Sequence, residues 1–138
     1  MNNLNFTHRN TILISLLMAI TLNSSATERA TLLEKYSDQG VSQFSAERGQ
    51  QLWEQPNDGT APFTTRSCTT CHSQDVKQRG QHIRTKKAIN PMALSVNPAS
   101  LSSTKKVEKW FTRNCKWTLG RVCTPQEKGD IITYLQSQ

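Results

Sequence analysis

Apolar positions in this 138-residue chain recur at helical spacing, and nowhere do they alternate as a half-buried strand requires. The clearest face is Val107, Trp110, Phe111 and Asn114, at i, i+3, i+4 and i+7, which predicts a helix from Thr104 to Asn114. A second helix is predicted over Ser45 to Glu54, ended by Pro56-Asn-Asp-Gly59. The last begins with Thr124-Pro-Gln-Glu127, a capping box with proline at the first helical position, and offers Ile131, Tyr134 and Leu135 to a core. A short helix is expected through Ala30 to Tyr36. Residues 74–103 are polar, basic and broken by Pro91 and Pro98, and read as one long loop. Such a loop in a compact domain needs either a function or a large object to pack on. The class predicted is all-α, with one domain.

The N-terminus follows a different pattern. His8 and Arg9 precede an apolar run from Thr11 to Leu22, and Asn23-Ser-Ser-Ala26 puts small residues before a cut after Ala26. This is the form of a cleavable secretory signal. The run is about twelve residues, whereas a membrane span needs roughly twenty, so no stable membrane insertion is expected after cleavage. The expected organisation is a signal peptide at 1–26, a leader segment at 27–43 and the domain at 44–138, with a periplasmic location. Cleavage removes Arg9 and no acid, which lowers the formal charge from +7 to +6. That surplus suits an acidic protein partner. No nucleic-acid-binding motif is present, and an exported chain would not meet nucleic acid.

The chemistry centres on Ser67-Cys-Thr-Thr-Cys-His72. Cys-X-X-Cys-His is the attachment signature of c-type haem. Cys68 and Cys71, one helical turn apart, can form thioethers with the two vinyl groups of one porphyrin, and His72 is then brought beneath the iron as proximal ligand. A thioredoxin-like pair would sit beside a strand in a βαβ unit, which this sequence lacks. A zinc site would want a second ligand pair at knuckle spacing, and Cys115 and Cys123 are too far apart for that. The expected cofactor is one covalent haem c. Gly49-Gln-Gln-Leu-Trp53 and Tyr134-Leu135 resemble the crossing terminal helices of class I cytochromes c, where a glycine lets the helices approach and an aromatic packs at the crossing.

The opposite axial position has three candidates. His82 lies in a basic stretch, Gln81 to Lys87, and reads as an exposed histidine. Met92 follows Pro91, a reasonable setting for the methionine ligand of an electron carrier, or for an apolar residue lining a haem pocket. Asn114 shares a face with Val107, Trp110 and Phe111 and so is a polar group aimed at the core, where it needs a partner. It also suits the left-handed residue at a helix end. The residues alone leave the choice open.

Three runs bear on it: Lys87 to Pro98, Val107-Glu-Lys-Trp-Phe-Thr-Arg-Asn-Cys115, and Leu119-Gly-Arg-Val-Cys-Thr to Asp130. Together they resemble the oxygen-binding cytochromes c of the sphaeroides haem protein type, from about Phe44 to the C-terminus. The Arg-Asn-Cys…Gly-Arg-X-Cys-Thr segment is the distinctive part, and Leu94, where that family typically has proline, is a minor departure. The resemblance implies a class I-like cytochrome c fold and an asparagine sixth ligand of ferric haem, falling on Asn114. In that family the ligand departs on reduction and ferrous iron then binds small diatomic ligands, so O2 or NO binding is what the resemblance implies here. Trp110 and Phe111 become pocket residues, and Met92 a pocket residue or alternative ligand. It further implies a dihaem cytochrome c and a membrane cytochrome b as redox partners. The cysteine pair of that family falls on Cys115 and Cys123, which have only each other once Cys68 and Cys71 hold haem; such a disulfide adds about 2.5 kcal/mol on the loop-entropy model. The expected function is therefore electron uptake with diatomic ligand binding. A plain His72/Met92 electron carrier and a nitric oxide dioxygenase-like enzyme are the alternatives.

Overall fold

The computed structural model describes residues 24–138. The expected signal lies, up to residue 23, outside the described residues. The cut after Ala26 would fall in the first turn of α1, Ser24–Ser37.

Two helices cross at the heart of the fold, α2 (Ala46–Glu54) and α5 (Pro125–Ser137). Ser45 caps α2 by accepting from the Arg48 backbone N–H. Thr124 and Glu127 cap α5 reciprocally, as the sequence predicts. Gly49 makes the crossing possible: a Cβ there would stand 2.1 Å from the Asp130 carbonyl oxygen and 2.8 Å from the Tyr134 Cβ. Trp53 and Tyr134 pack beside it with ring centroids 6.2 Å apart. Ile131, Leu135, Val76 and Ala93 complete that core.

A second cluster joins Leu32 and Tyr36 of α1 to Val107 and Ile132. The helix in the leader segment is thus longer than the short one expected and packs on α4 and α5. Its polar side is equally tied. Glu28 accepts from the backbone N–H of Thr104 at 2.7 Å and from its hydroxyl. Lys35 reaches Glu108 at 2.7 Å.

The helix read as Thr104 to Asn114 continues to Leu119, as α4 (Thr104–Leu119). Asn114 is therefore not at its C-terminal end. Gly120, at φ 72°, supplies the left-handed residue instead. Two antiparallel hairpins add strands that no alternation predicts: β1 (Asn57–Thr60) with β2 (Phe63–Arg66), and β3 (Gly80–Gln81) with β4 (Ala88–Ile89). The first depends on Arg66. Its guanidinium donates to the carbonyls of Phe63 and Thr60, and across the fold to the Trp117 carbonyl at 3.0 Å. The loop beyond β4 is pinned to the core. Met92 and Ala93 donate to the Val76 carbonyl at 2.9 and 3.0 Å, and Leu94 donates to that of Leu135. Between the hairpins lies α3 (Thr69–His72), one helical turn. The hairpins are small, and the architecture is all-α in class.

Candidate haem site

A cavity of ≈ 830 Å³ opens between α3, the 82–103 segment and α4. It lies within the size range of small-molecule sites. The Cys-X-X-Cys-His turn forms one wall. Cys68 and Cys71 are free, partly buried thiols, and both line the cavity with His72. Burial pushes the Cys68 thiol up to about 12, which makes it a poor thiolate and disfavours a redox-active pair.

The histidine is prepared as a neutral ligand. Burial pushes His72 down to about 4, so its imidazole keeps a free lone pair at neutral pH. Its Nδ1 is buried without a hydrogen-bond partner, and so is the Nε1 of Trp53, whose ring centroid lies 5.3 Å away. Buried polar atoms of that kind call for a bound group or water. Gly80 sets the β3 strand directly behind the motif, since a Cβ there would stand 2.1 Å from the Cys71 carbonyl oxygen and 2.8 Å from the His72 Cα.

Helix α4 lines the same cavity. Trp110, Phe111 and Asn114 line the cavity, as does Met92 from the pinned loop. The face read from the sequence is shared between core and cavity: Val107 is buried in the second core cluster, while Trp110 and Asn114 are exposed along the cavity wall. Trp110 is 51% exposed and carries the Arg113 guanidinium 5.2 Å from its ring centroid. Phe111 reaches further in and packs against both core clusters. Met92 is partly buried against the Trp53 cluster.

Directly after Asn114, Cys115 is bonded to Cys123, with Cα atoms 5.6 Å apart. The bridge holds the last turns of α4 to the segment entering α5, and both cysteines border the cavity. His82, read as a solvated histidine, is exposed and also lines the cavity. Lys87 and Lys106, expected from the sequence near the haem edge, line it too, as do Arg84 and Arg113, which the sequence did not single out. Their positions in basic stretches carry no periodic signal.

The site accepts a flat, largely apolar group anchored at the thiols, with a neutral imidazole on one side, and so fits a covalently attached haem. The comparisons with known proteins agree. A domain family of unknown function, DUF1924, matches residues 39–135. The cytochrome c-type protein SHP of Cereibacter sphaeroides is 39% identical over 127 residues, covering 92% of this chain and 97% of that protein. The structure of oxidised SHP, described as an oxygen-binding cytochrome c, superposes with a TM-score of 0.72 at 40% identity, over 80% of this chain and 96% of SHP. The solution structure of Methylophilus methylotrophus cytochrome c″, described in terms of haem-ligand detachment, gives a TM-score of 0.70 at 29% identity, over 82% of this chain and 95% of the other. On its fold, its site and these likenesses, the chain belongs to the DUF1924 family and, with SHP, to the monohaem c-type cytochromes, which carry a covalently attached haem c.

Proposed function

We propose that this chain takes up an electron and then binds O2 or NO at a site that Asn114 closes in the oxidised state. The observation that carries the reading is that His72 and Asn114 line one cavity, with the Cys115–Cys123 bridge immediately behind Asn114. The described oxygen binding of SHP and haem-ligand detachment of cytochrome c″ support it.

When bound, the haem would supply an iron able to change between ferric and ferrous and to take a diatomic ligand. Cys68 and Cys71 would hold it through thioethers, and His72 would ligate it on one side. Asn114 offers a carboxamide oxygen, a hard and weak donor that prefers ferric to ferrous iron. Once displaced, the same side chain presents an N–H2 group that can donate a hydrogen bond to a diatomic ligand. Trp110 and Phe111 add aromatic lining to the cavity. Met92 contributes apolar lining, since its backbone is held by Val76 and its side chain rests on the Trp53 cluster.

Export to the periplasm through the signal at 1–26 belongs to the same reading, as does electron supply by a dihaem cytochrome c and a membrane cytochrome b. These rest on the sequence pattern and the family resemblance.

Optical spectra of two variants test the proposal. Asn114→Ala is expected to alter the ferric spectrum and accelerate binding of imidazole or azide, while Met92→Ala leaves the ferric bands in place. The reverse result, with a methionine charge-transfer band in the wild type that Met92→Ala abolishes, identifies an ordinary electron carrier.

A further inference from the structure

Among the described residues, the cavity wall holds Arg84, Lys87, Lys106 and Arg113 and not one aspartate or glutamate. A haem brings two carboxylates of its own, and burying them against an apolar wall without partners is costly. We infer that the turn between β3 and β4 is the wall that receives these carboxylates, with His82 as hydrogen-bond donor and Arg84 as counter-charge. The inference rests on the reading that haem is held at Cys68, Cys71 and His72.

Three features carry it. The turn is closed and specific: the His82 N–H donates to the Lys87 carbonyl at 2.9 Å and the Lys86 N–H to that of His82 at 2.8 Å. Inside it, the His82 Nδ1 accepts from the backbone N–H groups of Arg84 and Thr85 at 3.3 and 3.2 Å. With Nδ1 committed as an acceptor, the neutral ring carries its proton on Nε2. That nitrogen is a donor in this arrangement, not a lone pair.

The turn is also fixed relative to the motif, because Gly80 at its base lies hard against Cys71 and His72. Arg84 is steadied by an aromatic contact, with its guanidinium 5.6 Å from the Phe63 ring centroid. By contrast, the cations on α4, Lys106 and Arg113, share their wall with Asn114, which the functional reading assigns to the iron face.

The test uses the haem-loaded protein, with the resonance Raman carboxylate-bending band of the haem and the reduction potential as readouts. Removing a cation from beside the carboxylates favours the ferric state, so Arg84→Gln is expected to lower the potential and shift the Raman band. His82→Asn, which can still accept the turn's N–H groups, is expected to shift the band in the same way. Lys77→Gln, an exposed site off the cavity wall, is expected to change neither. A band unmoved in Arg84→Gln, with haem still covalently attached by mass, overturns the inference. An equal shift in Lys77→Gln overturns it as well, by showing a general charge effect. Wild-type protein without covalent haem fails the parent reading instead, and this one with it.

Discussion

Gly49 and Asp130 meet where α2 crosses α5, so closely that a methyl group on Gly49 would stand 2.1 Å from the Asp130 carbonyl oxygen. The obstructing atom is backbone in a capped helix, so the neighbour cannot rotate away. The contact positions Trp53 against His72 and so reaches the haem wall. Gly49→Ala is expected to destabilise the protein by about 3 kcal/mol, at the upper end of overpacking costs. Chemical denaturation monitored by far-UV circular dichroism checks it, and a loss below 1 kcal/mol would show that the helices can part.

The Asp130 side chain anchors the same crossing. It is 3% exposed, and it accepts from the Ser45 backbone N–H at 2.6 Å and from Arg48 at 2.8 and 3.0 Å. Asp130→Ala leaves these donors without their acceptor and is expected to cost about 2–3 kcal/mol, as for hydrogen bonds to charged groups. Arg48→Ala is expected to cost less, because its own side chain is 49% exposed. Denaturation of both variants, giving equal losses, would count against this ranking.

Glu108 supplies a pH dependence. Burial raises its carboxyl, but hydrogen bonds from Lys128 and Lys35 outweigh that and hold it below the usual value. A carboxyl depressed in the folded state adds stability above its unfolded value of 4.5 and loses it as pH falls through the folded value. Glu108→Gln is therefore expected to be less stable than wild type at pH 7, by about 1 kcal/mol for a partly exposed network. The difference should shrink steadily below pH ~4.5. Melting temperatures of both proteins across pH 3–7 measure it, and a constant gap would refute the linkage.

The Cys115–Cys123 bridge makes a separable prediction. Replacing both cysteines by serine should destabilise the fold by about 2.5 kcal/mol. Haem attachment at Cys68 and Cys71 should be unaffected. If the bridge restrains Asn114, the same variant should also show altered on- and off-rates for external ligands by stopped flow. Unchanged rates leave the bridge a purely structural part.

Docking by charge can be read from ionic strength. Lys86, Lys87, Lys105, Lys106, Lys109 and Lys116, clustered in sequence around the cavity segments, are candidates to steer an acidic partner. Arg121, which also lies in this region, is committed to Glu127 at 2.6 and 2.8 Å. Electron transfer from the natural donor should slow steeply as salt rises, and Lys109→Glu should weaken that dependence while Arg121→Gln changes it little. A rate indifferent to salt removes the steering role.

What could be read along the chain is what local chemistry dictates. The Cys-X-X-Cys-His spacing needs only one helical turn to point at one ligand, so Cys68, Cys71 and His72 were legible at once. The Thr124–Glu127 capping box and the Val107, Trp110, Phe111 periodicity are equally short-ranged, and both stand in the structure. Other features depend on partners far along the chain. Strands β1 and β2 are too short to show a period, and their hairpin is held by Arg66 reaching Trp117. Helix α4 runs past Asn114 because Gly120, and not the asparagine, provides the left-handed turn. The leader helix joins the core because Leu32 and Tyr36 meet Val107 and Ile132, contacts that no local pattern announces. His82 came to the cavity only through the pairing of Gly80 with Ile89, which folds the 82–87 turn back over the motif. Periodicity reports which residues share a face; only long-range packing decides what that face looks upon, and for Asn114 it is the cavity that His72 also lines.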